Sequence, residues 1–242
     1  MKITIDYLQK VLNESQLYWW LDSGSLLGII RDGQFLKNDK DIDLGIVFTG
    51  DYQPIQDFLL RIESLGFRTV KFYINSNIYK CKCVPISPDV FNYILDIQIY
   101  YKLKDCYVCP QMVFKSNLSF LNRIKQNFIR IKKGNRANYK GNSFPIMIKR
   151  ALSHIICNKN MTVELKQKEK NLYDFYKWVI PEKYITEQTV YQGFKVFADY
   201  NEYLSYRYGI WQTPVKEWVF TRDDKALFKS NYESICEEIN GI

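Results

Sequence analysis

The chain has 242 residues, of which 47% are hydrophobic and 25% are charged. This composition is typical of a folded globular protein with a sizeable core, and it excludes an intrinsically disordered chain. The net charge of +8 indicates an anionic partner (nucleic acid, a phosphorylated small molecule or a membrane surface), although a solvated lysine-rich face would give the same charge.

The predicted elements of the first half alternate between helices and strands. In chain order they are a helix at 4–14, a strand at 17–22, a helix at 25–31 that begins just after Gly24, a strand at 41–48, a helix at 55–65 ended by Gly66, and strands at 67–74, 79–85, 92–101 and 107–114. No apolar run approaches the roughly 18–20 residues that span a bilayer, and the opening MKITIDYLQKVLNESQ is too polar for a secretory signal. We therefore expect a cytoplasmic protein with reduced cysteines.

The pattern becomes mostly helical after about residue 116. The predicted helices there lie at 118–128, 145–158, 162–178 and 199–208. The sequence therefore predicts an α+β (mixed α/β) fold, in which helices flank a mixed sheet. We expect a catalytic core over 1–115 and a mainly helical part over 116–242, packed together as one compact unit.

The spacing of four cysteines allows two interpretations. Cys81 and Cys83 form a C-x-C pair, and Cys106 and Cys109 form a C-x-x-C pair, which is compatible with zinc. In the segment YKCKCVP, however, strand alternation places Cys81 and Cys83 on one face and the lysines on the other. Because buried thiols behave as small hydrophobic side chains, this pattern favours core cysteines.

Three aspartates are candidate metal ligands. Asp41 and Asp43 stand two residues apart on a predicted strand, so their side chains point to one face, and Asp39 shares that direction if the strand starts early. Asp96 interrupts the apolar strand NYILDIQIYY, where an isolated charge is costly. If Asp96 lies beside the other two, their repulsion is relieved by protonation or by a hard divalent cation such as Mg²⁺ or Mn²⁺. The alternative is that these residues are a loop, a strand cap and an isolated buried acid.

The Gly-Ser step upstream predicts an anion site. A strand, then Gly24 and Ser25, then a helix places free backbone N–H groups and a hydroxyl at a helix N-terminus. Gly24 allows close approach of a phosphate, and Arg31 further along the helix can reach a second phosphate oxygen. Carboxylates that bind a cation and amides that bind a phosphate are what transfer at phosphorus requires.

These residues resemble the nucleotidyltransferase fold of the DNA polymerase β superfamily, and in detail the LicD/fukutin branch. The resemblance lies in GSLLGIIRDGQFLKNDKDIDLGI, which is similar to the branch's G-[ST]-L-L-G-x-x-R and acidic string and includes Gly28, in the strand around Asp96, and in the tail FKVFADYNEYLSYRYGIWQTPVKEW. It covers residues 17–48, that strand and 194–218, and leaves 102–190 unplaced. Lys37-Asn38 stands where the branch has Pro-Trp, and Lys40 stands at its middle Asp.

The resemblance implies a phosphotransferase that moves a phospho-alcohol (phosphocholine, ribitol phosphate or a similar group) from a CDP-linked donor to a hydroxyl of a saccharide or glycolipid, releasing CMP. The product would belong to a cell-surface glycan such as capsule or lipopolysaccharide, and the enzyme could lie peripherally at the cytoplasmic membrane face. Nucleic acid is not expected as a partner.

The resemblance also implies residue roles. Asp41, Asp43 and Asp96 would bind Mg²⁺ or Mn²⁺, and Asp96 or a metal-bound water would assist deprotonation of the acceptor hydroxyl. The substrate would be bound by Gly24, Ser25, Gly28, Arg31, Asp39, Tyr208 and Trp211. Tyr208 and Trp211 could stack on a base, a sugar or a choline group, or could simply pack the C-terminal helix. His154, the single histidine, is expected to be a packed or surface residue.

Two other functions fit the same residues. One is a nucleotidyltransferase that moves a nucleoside monophosphate from an NTP to a small molecule, protein or RNA and releases pyrophosphate. The other is a non-catalytic module that binds polyanions through its basic surface, but three clustered carboxylates do not help such a module.

Overall fold

The structure is a computed structural model, and it describes residues 2–37, 39–132 and 160–241. Its centre is a curled nine-stranded mixed sheet with strand order β11-β8-β6-β5-β4-β3-β7, to which β2 is added along β5 and β1 along β2. The strands of this sheet are β1 (Trp19–Leu21), β2 (Asp41–Val47), β3 (Phe67–Ile74), β4 (Asn77–Pro85), β5 (Ile94–Leu103), β6 (Cys106–Phe114), β7 (Met161–Leu165), β8 (Tyr173–Pro181) and β11 (Leu227–Ser230). A separate hairpin pairs β9 (Gln188–Tyr191) with β10 (Phe194–Phe197).

The helices lie around this sheet. They are α1 (Ile5–Asn13), α2 (Ser23–Asp32), α3 (Gln53–Ser64), α4 (Phe120–Lys132), α5 (Glu182–Ile185), α6 (Tyr200–Tyr208), α7 (Phe220–Asp223) and α8 (Tyr232–Asn240), with a 3₁₀ helix at Gln167–Leu172. The predicted α+β fold is therefore confirmed. In the part of the chain that the structure describes, no helix combines the length and apolar character needed to span a membrane.

The first-half elements agree with the sequence prediction, and β3 agrees to the residue. Most other boundaries differ by one or two residues, and the difference that concerns the site is that α2 begins at Ser23, before Gly24 rather than after it. Asp22 is the reason: its side chain accepts a hydrogen bond from the Ser23 backbone N–H at 2.7 Å and caps the helix, which therefore begins two residues earlier than predicted.

The prediction of a helix at 162–178 is wrong. The structure places β7, the 3₁₀ helix and most of β8 there. In β8 the buried positions are 173, 175, 178 and 180, so a step of three interrupts the strand alternation and imitates helical spacing. The content of aromatic and β-branched residues, which favours strands, was the better guide.

The C-terminal part is consequently less helical than predicted, because β7, β8 and β11 from beyond residue 115 join the same sheet as the first-half strands. The helix predicted at 145–158, with His154 and Cys157, lies outside the described residues. Cys81 and Cys83 are fully buried as expected, and burial raises the pKa of the Cys81 thiol to about 12.

Candidate active site

The three candidate aspartates meet on two adjacent strands. β2 pairs with β5 in parallel, and in this register Asp43 lies directly beside Asp96 while Asp41 lies beside Ile94. One carboxylate oxygen from each of Asp41, Asp43 and Asp96 can be chosen so that all three lie within 4.8 Å of one another. The predicted proximity is therefore observed, and the role of these residues as metal ligands stays a prediction.

The electrostatics of this carboxylate cluster are unequal. Burial, followed by the charges of Asp96 and Asp41, raises the pKa of Asp43 well above its ordinary value. Burial and the charge of Asp96 also raise the pKa of Asp41. Burial alone would raise the pKa of Asp96 too, but the nearby ammonium groups of Lys80 and Lys82 outweigh it, and the net shift is downward.

Two lysines hold the Asp96 carboxylate between them. Lys80 Nζ lies 2.7 Å from Asp96 Oδ1, and Lys82 Nζ lies 3.0 Å from Asp96 Oδ2. The Gln98 amide donates a further hydrogen bond to Oδ1 at 3.3 Å, and Gln111 donates to Gln98 Oε1 at 2.9 Å. β4 pairs antiparallel with β5, so both lysines come from the strand face opposite Cys81 and Cys83, as the alternation predicted.

The N-terminus of α2 faces the carboxylate cluster, and two hydrogen bonds link it to the backbone of Asp43. The Asp22 backbone N–H donates to the Asp43 carbonyl at 3.0 Å, and the Asp43 N–H donates to Ser25 Oγ at 2.8 Å. The Gly24 and Ser25 amides belong to the first helical turn, where N–H groups have no partner within the helix. The helix thus presents backbone donors beside the three aspartates.

Ser23 is a site residue that the sequence did not single out. Its φ of 50° is in the left-handed region, which a serine seldom adopts, and its buried Oγ has no hydrogen-bond partner among the residues that the structure describes. Ser23 and Gly24 both line the cavity described below, whereas Ser25, through its bond to Asp43, is a structural link.

The remaining predicted residues of the first half have different surroundings. Arg31 and Asp39 line the same cavity, with Arg31 forming a two-bond ion pair with Asp32 at 2.8 Å. Gly28 is not among the residues that line this cavity. A Cβ at Gly28 would lie 2.8 Å from the Gln34 carbonyl oxygen, so this glycine lets the loop after α2 pack on the helix.

The C-terminal segment closes the site from the opposite side. A cavity of about 580 Å³ contains the three aspartates, the start of α2 and an aromatic wall from the last third of the chain. The wall is formed by Trp178, Tyr208, Trp211, Trp218 and Phe220. The structure therefore brings the two predicted aromatic residues, Tyr208 and Trp211, to the carboxylate cluster. Trp211 is buried, and its indole N–H has no partner within the described part of the chain.

A buried ionic network connects α2 to this aromatic wall. Arg207, only 1% exposed, donates to Asp22 Oδ1 and to Asp224 Oδ2, each at 2.8 Å. Tyr100 and Tyr203 also donate to the Asp22 carboxylate, at 2.7 and 3.0 Å. The residue that caps α2 is thus held by groups that are far apart in the sequence.

Sequence reasoning did not assign roles to Lys80, Lys82, Ser23 and Asp224. A signal for the lysines existed: the alternation in YKCKCVP puts them on one face, and pairing of this strand with the Asp96 strand would direct them to the acid. No comparable signal marks Asp224, because its partners Arg207 and Trp178 come from separate elements.

The residues fit a hard divalent cation. All three candidate ligands are carboxylate oxygens within the spacing given above, which is the donor chemistry that Mg²⁺ and Mn²⁺ prefer. Burial and the neighbouring carboxylates raise the pKa values of Asp41 and Asp43, and a bound divalent cation would oppose both shifts.

Comparison with known proteins agrees with this geometry. Residues 16–77 match the family described as LicD/FKTN/FKRP, nucleotidyltransferase domain. An uncharacterized protein of Rickettsia prowazekii (strain Madrid E) is 28% identical over 106 residues, which are 44% of this chain and 35% of the relative. An uncharacterized protein of Rickettsia typhi (strain ATCC VR-144 / Wilmington) is 30% identical over 101 residues, 41% of this chain and 28% of the relative.

The chain thus spans about a third of the length of these curated relatives. The segment matched by the family contains β1, all of α2 and the strand that carries Asp41 and Asp43. The match to the LicD/FKTN/FKRP nucleotidyltransferase domain is thus confined to residues 16–77, and within that segment it agrees with the resemblance of the sequence motif.

Proposed function

We propose that this protein is a metal-dependent phosphotransferase that modifies glycans. In the finer form of the proposal, it moves a phospho-alcohol such as phosphocholine or ribitol phosphate from a CDP-linked donor to a hydroxyl of a cell-surface glycan or its precursor. The match of residues 16–77 to this family supports the general class. A lipid-linked acceptor would bring the protein to a membrane face.

The observation that carries the proposal is the meeting of opposite chemistries in one cavity. Asp41, Asp43 and Asp96 lie on one side, and the N-terminus of α2 lies beside them with its backbone donors. A diphosphate needs both a cation and hydrogen-bond donors, because transfer at phosphorus depends mostly on positioning and charge neutralisation.

The proposed step breaks one bond and forms one. The acceptor hydroxyl oxygen attacks the phosphorus that bears the alcohol, the bridging P–O bond breaks, and CMP leaves with the bridging oxygen. The amides of Gly24 and Ser25, the Ser23 hydroxyl and Arg31 would hold the phosphates. The hydroxyl proton passes to Asp96 or to water. Asp96 is a weak base as long as Lys80 stays bound to it, because the ammonium groups lower its pKa.

A bound Mg²⁺ or Mn²⁺ would neutralise the developing charge on the phosphate oxygens. Asp41, Asp43 and Asp96 would hold it, so these three residues are the first to test.

The test is incubation of the protein with Mg²⁺ and a panel of CDP-alcohols and NTPs, followed by analysis of the released nucleotide. We expect CMP from a CDP-linked donor. The Asp41→Ala and Asp43→Ala variants should lose at least about a hundredfold in rate, the loss typical when charge stabilisation is removed from a transition state. Asp105→Asn, a change at an exposed turn, is the matched control and should retain the wild-type rate.

Two results would contradict the proposal. Full activity in both aspartate variants would exclude the carboxylate cluster as the catalytic centre. Release of pyrophosphate from an NTP, with no reaction of any CDP-alcohol, would identify a nucleotidyltransferase instead.

A further inference from the structure

Lys80 lies where its ammonium group can contact both Asp96 and a molecule bound in the cavity. Its ammonium group binds Asp96 Oδ1 at 2.7 Å, and the side chain also lines the cavity that contains the start of α2. Lys82 binds the other oxygen of the same carboxylate at 3.0 Å but is not among the residues that line this cavity. The two lysines therefore share a partner and differ in access to the cavity.

The charge of the site is nearly balanced without a metal. Asp41, Asp43 and Asp96 carry three negative charges when ionised, and Lys80 and Lys82 return two positive ones. A divalent cation that enters without a substrate must bind an Asp96 oxygen to which a lysine ammonium group is already bound. Repulsion between the cation and Lys80 opposes this, and it is strong because Asp96 is only 5% exposed.

The Asp96 side chain keeps other contacts that fix its position if Lys80 moves away. Gln98 continues to donate to Oδ1, Lys82 continues to bind Oδ2, and Gln111 fixes the Gln98 amide. The lysine side chain is a flexible four-carbon stem with a mobile charge, so a short movement into the cavity keeps its ammonium group near the site.

We propose that Lys80 is exchanged between two anions: it neutralises Asp96 in the free protein and binds the diphosphate when metal and donor enter together. Lys80 is then a substrate-binding residue that also prevents tight binding of a metal by itself. The proposal rests on the proposed function insofar as that function supplies a diphosphate substrate.

Two measurements on Lys80→Met test the exchange. Binding of Mn²⁺ alone, measured by electron paramagnetic resonance of the free ion, should become about tenfold tighter, because the competing charge is gone. Binding of pyrophosphate in saturating Mg²⁺, measured by calorimetry, should become about tenfold weaker, because a charge-assisted hydrogen bond is lost. Lys80→Arg should restore pyrophosphate binding.

Matched lysine variants separate the two effects. Lys82→Met removes the ammonium group that binds Asp96 from outside the cavity. It should therefore tighten Mn²⁺ binding and leave the affinity for pyrophosphate within about twofold. Lys71→Met, on the neighbouring strand β3, should change neither. Lys80→Gln keeps a hydrogen-bond donor for Asp96 without the charge, and it replaces Lys80→Met if the latter does not fold.

The proposal is overturned if the uncharged Lys80 variants bind Mn²⁺ no more tightly than wild type, or if they bind pyrophosphate equally well. Neither probe contains a nucleotide or an alcohol, so a failure of the CDP-linked donor assay leaves these measurements interpretable. Conversely, activity with a CDP-alcohol and no effect at Lys80 would retain the function and reject the exchange.

Discussion

The position of Asp43 favours binding of a cation and disfavours the stability of the folded protein at neutral pH. It lies beside Asp96 in the strand register, and burial together with two neighbouring carboxylates raises its pKa well above the ordinary value of 3.8. Since the folded state holds this proton more tightly than the unfolded chain, folding stability falls as the pH rises from the ordinary pKa to the raised one.

The Asp43→Asn variant should therefore be more stable than wild type at neutral pH without divalent ions. The free energy of unfolding should rise, because the variant no longer has to keep an ionised carboxylate buried beside two others. The gain should shrink towards zero below about pH 4, where wild-type Asp43 is protonated in both states. Urea denaturation at several pH values with a chelator measures it.

Asp105→Asn is the control for this prediction, because the residue is exposed in the turn between β5 and β6, at the opposite end of β5 from Asp96. A lower stability of Asp43→Asn than of wild type at pH 7.5 would show that the Asp43 carboxylate is not strained in the folded protein. Retained Mn²⁺ binding in the same variant would show that Asp43 is not a required ligand.

At the scale of elements, α2 and the loop after it form the unit that orients the site. Gly28 allows this loop to contact the helix backbone, and a Cβ there would lie 2.8 Å from both the Gln34 carbonyl oxygen and the Leu36 N–H. The same loop leads to Asp39, whose carboxylate lies against Gly24. The glycine in the G-x-x-R part of the motif is thus explained by packing.

Gly28→Ala should destabilise the protein by about 1–3 kcal/mol, because the added methyl group meets backbone atoms that cannot move aside as a flexible side chain would. Gly241→Ala is the control: its φ is −79°, and its nearest contact would be an ordinary 3.4 Å. Thermal and urea denaturation measure the difference. Equal stabilities of the two variants would reject the packing explanation for Gly28.

At the scale of the whole molecule, the Arg207 network joins the first and last parts of the chain. Arg207 binds Asp22, which caps α2, and Asp224, which also accepts a hydrogen bond from Trp178 at 3.1 Å. The nine-stranded sheet likewise includes strands from both sides of residue 115. The division into a core over 1–115 and a second part over 116–242 remains a proposal, and these contacts favour one cooperative unit.

Arg207→Met should be strongly destabilising, by about 3–5 kcal/mol, because it leaves two buried carboxylates without their shared cation. The loss should be insensitive to salt, since buried pairs are screened little. Lys183→Met removes one partner of the exposed ion pair with Glu202 and should have little effect on the same urea transition. A small loss in Arg207→Met would show that the network is not a determinant of folding.

The sequence alone determined the elements of the first half and the residue types of the site. Alternation and helical spacing are local properties, so they located β2, α2 and the strand of Asp96, and the family motif identified the acids within them. Local spacing failed at 162–178, where interrupted alternation in β8 resembles a helix.

Only the tertiary structure decided which of these residues meet. The parallel register of β2 and β5 places Asp43 beside Asp96, and the antiparallel register of β4 and β5 brings Lys80 and Lys82 to the same carboxylate. Strand pairing depends on burial over the whole sheet and not on neighbouring sequence. For the same reason the binding of Asp22 by Arg207, Tyr100 and Tyr203 and the aromatic wall of the cavity are properties of the folded chain.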